Sequence, residues 1–350
     1  MSEEKKYNLI EAAFCRPTTK VPVWFMRQAG RYLPEYRALR DRTKGFLDMC
    51  FTPEYAVEIS LQPYEILGVD GVIMFSDILT PLIGMGVDLE FSPGPVINSK
   101  ISTRADIDKL KVPDPSENTP YVGEILKTLR RELKGKVPVI GFAGAPATVG
   151  AYLMKDATGD YSLGLKKMML GVPDDYHALM DKLTSMTINY LNYQIESGAE
   201  MIQLFDTWSG EFSAEMYNEF VLPYTRRIFD SLNLRGTVPA SYFIKGTEHL
   251  LDSALQVNSD MLSIDWKASL PESGKAIDLS GKKVALQGNL DPAYLFASES
   301  RLIQEVDRIL EEAKDLKGFI FNLGHGVLQH TPVDNVRLVI DRVQNFGGKK

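Results

Sequence analysis

Short apolar runs rich in β-branched residues recur along the chain, each followed by a stretch of helical periodicity. The runs lie at Pro22–Met26, Val69–Phe75, Pro138–Phe142, Met201–Phe205, Pro239–Ile244, Met261–Ile264, Val284–Leu286 and Phe319–Asn322. Continuous apolar runs of this length suit strands covered on both faces, and therefore a parallel sheet. Amphipathic helices are expected between them, for example over Asp175–Ser197, Ala214–Ser231, Ser300–Lys314 and Val333–Phe346. About eight strand–helix units in a chain of this size predict an α/β fold, a single-domain (β/α)8 TIM barrel over residues 1–350. The alternative is an open Rossmann-type sheet. It lacks its fingerprint, since no G-x-G-x-x-G follows the first run and Gly84 and Gly86 have no third glycine in register. No Walker A loop occurs either, so neither a dinucleotide nor a nucleoside triphosphate is supported. The main interruption is the polar, proline-punctuated segment Val112–Pro120, read as a loop.

Composition narrows the picture. At 44% hydrophobic and 24% charged the chain resembles an ordinary globular protein. Its most apolar window, Gly71–Val87, is broken by Asp77 and Pro81, so no transmembrane helix is expected. The first residues, MSEEKKYNLI, are too polar for a secretory signal and too acidic for a transit peptide, which makes the cytoplasm the expected location. Cys15 and Cys50 cannot build a disulfide scaffold, and His177, His249, His325 and His330 lack ligand spacing, so no metal site is expected. His177, His249 and His330 read as surface residues. A net charge of −7 argues against a sequence-independent grip on nucleic acid or on an anionic membrane. Were the ligand itself a polyanion, its basic partners would have to be gathered locally against that sign.

A barrel makes a sharp demand: functional residues should follow the C-terminal ends of the strands. Arg27 follows the first run, Asp77 the second, Asp206 and Thr207 the fourth, and His325 the last. The segment VPVWFMRQAGRYLPEYRALR places Arg27, Arg31, Arg37 and Arg40 close together. Arg27 and Arg31 leave the strand on the small-residue loop Gln28-Ala29-Gly30, from which both guanidiniums can reach one cleft. Guanidinium forks match carboxylates bidentately. A solvated basic face is the other reading, to which Arg37 and Arg40 would contribute. Asp77 ends an apolar run and must be satisfied, either as a helix N-cap or by a ligand. In GFAGAPATVGAY, three glycines and Pro146 bring backbone close to the barrel mouth, and Tyr152 adds a hydroxyl on a body that can equally be core. His325 sits between Gly324 and Gly326, a placement that suits an acid/base group or a hydrogen-bond donor to an anion better than a core residue.

Together these segments resemble the uroporphyrinogen decarboxylase family over essentially the whole chain. PVWFMRQAGRYLPEYR is very similar to that family's first signature. GFAGAPATVGAY resembles the second, although Ala147 stands where an aromatic is common. FSDIL, QLFDTWSG and FNLGHGVL follow in order, with Thr207 where serine is frequent and the role of Trp208 left open. The resemblance implies stepwise loss of CO2 from the acetate groups of uroporphyrinogen III, without cofactor or metal, by a homodimer. It implies Asp77 and Arg27 as catalytic residues, and a substrate-binding set of Arg27, Gln28, Ala29, Gly30, Arg31, Asp77, Tyr152, Thr207 and His325. Arg40, Phe46 and Phe205 are candidate further contacts. Arg27, His325 and a bound water are alternative proton donors. Two other functions compete with this one. Zinc- and cobamide-dependent methyltransferases share the expected fold but carry His-x-Cys, and Pro239–Gly246 holds neither histidine nor cysteine. A non-catalytic tetrapyrrole carrier would use the same arginines without needing Asp77.

Overall fold

The computed structural model describes residues 7–346, apart from residues 93, 100, 155–158 and 234–235; the domain expected over residues 1–350 runs past the described residues at both ends. In chain order the strands are β1 (Val72–Ile73), β2 (Leu89–Phe91), β3 (Pro95–Ile97), β4 (Val139–Gly144), β5 (Met201–Asp206), β6 (Ala240–Ile244), β7 (Met261–Ile264), β8 (Ala285–Leu290) and β9 (Phe319–Leu323). Seven of them form one parallel sheet in the order β1-β4-β5-β6-β7-β8-β9, while β2 and β3 pair as a separate antiparallel hairpin. Helices fill the crossovers, among them Pro120–Leu133 before β4, Pro173–Glu196 before β5 and Glu299–Ala313 before β9. Their apolar faces cover the outside of the sheet, which is why the strands read as unbroken apolar runs.

The eight-stranded ring expected from the sequence needs one correction. Pro22–Met26 is not a ladder strand; it makes a single parallel bridge, Val23 to Phe321. Pro22 has no N–H to offer a ladder, and a tight turn, with the Gln28 N–H donating to Phe25 O at 3.0 Å, ends the segment at once. The segment is nonetheless bonded on both sides. Phe321 N–H donates to Pro22 O at 2.9 Å on the β9 side, and Asp70 N–H donates to Val23 O at 2.8 Å on the β1 side. The sheet therefore curls until its two edge strands flank one extended segment.

Smaller differences have local causes. The run Val69–Phe75 shrinks to β1 because the Phe75 N–H turns away to Ser60 Oγ at 2.8 Å. Strand β8 runs on to Leu290 through Gln287, Gly288 and Asn289, residues too polar to read as strand. The helix expected over Ala214–Ser231 contains a π-turn at Tyr217–Val221, where Pro223 can supply no backbone donor and Tyr176 Oη donates to the Phe220 carbonyl at 2.6 Å. The segment Val112–Pro120 contains a short helix, Pro115–Asn118. His177 is half-buried rather than a surface residue, stacked on Phe220 and bonded to Tyr224 Oη at 2.6 Å.

Inside the curl, Leu9, Ala12 and Ala13 of the helix Asn8–Ala13 plug the end where the strands begin, packed with Met201, Met261, Ala285 and Ile320. Above them lies a polar layer. Trp24 Nε1 donates to Gln287 Oε1 at 2.9 Å, and Gln287 Nε2 donates to Ser263 Oγ at 2.8 Å and Gln203 Oε1 at 3.1 Å. With one end plugged and the middle filled, the interior can open only where the strands end.

Candidate functional site

A cavity of about 660 Å³ opens at that end. Its floor is apolar, made by Ile73, Phe142, Phe205 and Phe243. The three phenylalanines meet edge to face, Phe142–Phe205 at 5.8 Å and Phe205–Phe243 at 6.0 Å between centroids. Such a floor favours the face of a large flat ring.

The residues that the family resemblance implies for binding and catalysis all line this cavity, whereas Arg37, Asp206 and Trp208 do not. Arg27, Gln28, Ala29, Gly30 and Arg31 enter from the loop after Pro22–Met26, and Arg40 and Phe46 from the segment beyond it. Asp77 enters from the loop after β1, Tyr152 from the helix Pro146–Leu153, Phe205 and Thr207 from the end of β5, and His325 from the loop after β9. Gln28 contributes differently from its neighbours. Its side chain is fully buried and occupied, accepting from the Phe25 N–H at 3.1 Å and donating to Gly71 O at 3.0 Å, so it stitches the extended segment to the β1 side. Arg37 stays out of the cleft; exposed, as the solvated-face reading expects, it donates to the Arg31 and Tyr32 carbonyls at 2.7 and 3.1 Å.

Arg27 is held in a left-handed backbone conformation, φ +58°, at the third position of the Phe25–Gln28 turn. A bulky residue there costs roughly 1–3 kcal/mol and marks a place where surroundings override local preference. What accommodates it is Gly326: a Cβ there would come within 2.6 Å of Arg27 Cγ. Gly324 is needed for a different neighbour, since its Cβ would crowd the Asp265–Trp266 backbone. The glycines flanking His325 thus serve close packing on both sides of it. Among the described residues Arg27, Arg31 and Arg40 form no ion pair, so three guanidiniums line one cavity without a bonded counter-ion.

Asp77 is not a helix N-cap, since the next helix, Pro81–Gly84, begins behind Thr80 without a side-chain cap. Oδ1 accepts the Leu79 N–H at 2.9 Å and so caps the turn that follows, while Oδ2 has no protein hydrogen bond among the described residues. The carboxyl faces the cavity yet protein surrounds it. Desolvation raises its pKa, against the opposing pull of the Leu79 N–H and the Arg27 charge. His325 is shifted the other way, to about 4, by desolvation first and then by Arg27 and Lys245. It is a neutral imidazole at physiological pH, edge-on to Phe243 at 6.2 Å. Burial, and then the Asp77 charge, raises the Tyr152 hydroxyl pKa, so it stays a donor.

Asp206 lies outside the cavity. Fully buried, it accepts from Thr148 Oγ1 at 2.7 Å, Ser209 Oγ at 2.6 Å and Tyr242 Oη at 2.7 Å. Sequence reasoning missed Tyr36, Phe142, Phe243 and Leu328, and also the hairpin that brings Phe91 and Pro95 to the rim. Phe142 and Phe243 could have been found by marking the inward alternate positions near strand ends. The hairpin, which stacks Phe91 on Phe46 at 4.6 Å, has only a short and weakly apolar pattern.

The model of the family described as Uroporphyrinogen decarboxylase (URO-D) matches residues 4–346. The uroporphyrinogen decarboxylase of Geobacter metallireducens is 46% identical over 340 residues, covering 97% of this chain and 98% of the relative. That of Trichlorobacter lovleyi is 46% identical over 337 residues, covering 96% and 98%. Among solved structures, a methyltransferase from Methanosarcina mazei superposes with a TM-score of 0.80 at 22% identity, over 97% of this chain and 98% of the other. At that identity the likeness concerns the fold alone. Among the described residues no group of three His, Cys, Asp or Glu side chains is placed to hold a metal ion.

Proposed function

The chain belongs to the uroporphyrinogen decarboxylase family, and from that premise we infer that it is a carboxy-lyase that removes CO2 from the acetate side chains of uroporphyrinogen III to give coproporphyrinogen III in haem biosynthesis. The observation that carries the site assignment is the pairing, in one cavity, of a carboxylate oxygen and three guanidiniums that have no hydrogen-bond or ion-pair partner, respectively, among the described residues.

The substrate is a flexible macrocycle with pyrrole N–H donors at its centre and carboxylates at its edge. An ionised carboxylate is acceptor-only, so Asp77 Oδ2 can receive the central N–H groups. Arg27, Arg31 and Arg40 take peripheral carboxylates through charge-assisted bonds. Tyr152 and Thr207 supply hydroxyl donors, His325 a neutral ring N–H, and Phe46 and Phe205 apolar contact. Decarboxylation needs an electron sink. A proton added to the pyrrole carbon beside the acetate-bearing position leaves the ring cationic; the bond to CO2 then breaks and its electron pair neutralises the ring as an exocyclic methylene. A second proton on that methylene completes the methyl group, and the first proton leaves the ring carbon to restore the pyrrole. Asp77, fixed beneath the ring and poorly solvated, stabilises that cation without reorganising. Arg27 serves both binding and catalysis; it, His325 and a bound water are the candidate proton donors.

We read Pro22–Met26 as the eighth stave of a (β/α)8 barrel, the whole forming one catalytic domain. Support comes from the backbone bonds it makes on either side. We also assign a homodimer with facing cavities, for which the exposed Leu328 at the cavity rim offers an apolar contact, and a cytoplasmic location, in keeping with the free thiols Cys15 and Cys50. The test is incubation with reduced uroporphyrinogen III under anaerobic conditions. The expected product has lost every acetate carboxylate and kept the propionates; a tetrapyrrole recovered with all its carboxylates would remove this function.

A further inference from the structure

The arginines occupy one side of the cavity. A macrocycle that carries carboxylates all round its edge presents charge on the opposite side too. The sheet order allows that side to be identified. Starting from Pro22–Met26, which precedes Arg27, β6 is fourth in one direction (β1, β4, β5, β6) and fourth in the other (β9, β8, β7, β6). The residue immediately past β6 is Lys245.

Lys245 is built into its place. Phe243, two residues earlier, lines the cavity floor, and Lys245 begins the turn that leaves β6 there, beside the lining residues rather than among them. Its backbone is pinned from two directions. The Gly246 N–H donates to Asp265 Oδ2 at 2.9 Å, and Gly210 approaches so closely that a Cβ there would overlap the Lys245 carbonyl. The amine stands 5.9 Å over the ring of Trp208, whose far neighbour Tyr161 stacks at 4.7 Å. The lysine is only partly exposed, and among the described residues its amine forms no ion pair and no hydrogen bond. Its charge is felt across the mouth, where it helps depress His325. A preorganised, partly desolvated cation without a carboxylate partner, in a chain of net charge −7, calls for an anionic ligand.

Resting on the decarboxylase reading above, we propose that Lys245 is a further substrate-binding residue, which takes a peripheral carboxylate of the macrocycle on the side opposite Arg27. The substrate is then gripped across its diameter rather than from one edge. Trp208, left without a role by the sequence, becomes the platform that holds the amine over the mouth.

The test uses the full chain with Lys245→Met, Lys245→Gln and Lys245→Arg. Turnover of uroporphyrinogen and equilibrium binding of uroporphyrin, the oxidised macrocycle that carries the same eight peripheral carboxylates, are both measured. Loss of one charge-assisted bond predicts that Met and Gln raise KM and the uroporphyrin Kd by about 10-fold, that kcat changes by less than about 3-fold, and that Arg restores both. A KM and Kd within 2-fold of wild type in the neutral variants overturns the proposal and leaves the decarboxylase intact. Unfolding of both neutral variants also overturns it, by making the lysine structural. A wild-type chain that binds uroporphyrin through Lys245 without releasing CO2 keeps the proposal and removes the decarboxylase. A chain that neither binds nor turns over removes both.

Discussion

Asp77, in the loop after β1, and Asp206, the last residue of β5, are two acids at the same end of one sheet, and burial raises the pKa of both. By desolvation alone they are indistinguishable. They differ in what satisfies them. Asp206 spends both oxygens on Thr148, Ser209 and Tyr242, and Thr148 Oγ1 in turn accepts the Trp208 N–H at 3.1 Å. It therefore joins the helix carrying Tyr152 to the loop carrying Thr207. Asp77 spends one oxygen on a single N–H and turns the other toward a cavity lined with guanidiniums. A perturbed carboxyl is thus a poor marker of chemistry by itself. Spare acceptor capacity facing open space is the better one.

The largest expected effect separates the two acids directly. Asp77→Asn keeps the shape and the Leu79 cap but loses the charge that offsets the ring cation. Turnover should fall by roughly 10²–10³-fold, the scale seen when one preorganised electrostatic partner is removed, with the thermal midpoint little changed. CO2 release and a melting curve check both halves. Retained turnover would move the cation's partner elsewhere. Asp206→Ala should do the reverse. It strands three buried hydroxyls and should cost about 1–3 kcal/mol of stability, read as a lower midpoint in denaturant, with a smaller fall in turnover through misplaced Tyr152 and Thr207. If Asp206→Ala abolished activity in a fully stable protein, Asp206 would belong to the chemistry and not to the scaffold.

A milder substitution tests the arginine side of the same cavity. Gly326→Ala puts a methyl against the Arg27 side chain. Because a long side chain can swing away, the fold should survive, and KM should rise by about 10-fold as the guanidinium loses its preset position. An unchanged KM would mean that the left-handed turn at Arg27 has no bearing on binding.

These contrasts also explain what could be read without a structure. The strand–helix alternation was legible because both faces of the sheet are covered, which leaves β4 without a polar side chain and only a few in β5 and β6, so that the apolar runs stand out. The same rule hid the end of β8, where Gln287 faces an interior polar layer that no periodicity announces. The residue types at the mouth were legible because the C-terminal ends of strands are where a barrel keeps its chemistry. Their states were not. That Asp77 meets Leu79 with one oxygen and keeps the other toward the cavity is a matter of local geometry, and the strain at Arg27 depends on a turn that Gly326, far along the chain, makes room for. Lys245 went unread because a lysine after a strand is ordinary until its distance from Trp208 and its lack of a counter-ion are seen.

The smallest expected effect concerns pH, and it again sets two ionisable groups against each other. His325, pushed down to about 4, is neutral when folded but titrates near its ordinary value of 6.5 when unfolded. The unfolded chain binds the proton first, so this group's contribution to stability is complete above about 6.5 and is lost as pH falls toward 4, by at most on the order of 3 kcal/mol. Asp77 has the opposite sign. Its folded pKa is raised, so its contribution is complete below the ordinary carboxylate range and is lost as pH rises through the shifted value. Asp77→Asn should therefore be slightly more stable than wild type at neutral pH and no different in acid, whereas His325→Gln should flatten the loss between pH 6.5 and 4. Midpoints measured in denaturant across that range check both. If Asp77→Asn were less stable at neutral pH, the carboxylate would be contributing to the fold through a partner other than Leu79, and its second oxygen would not be the free acceptor that the proposed chemistry requires.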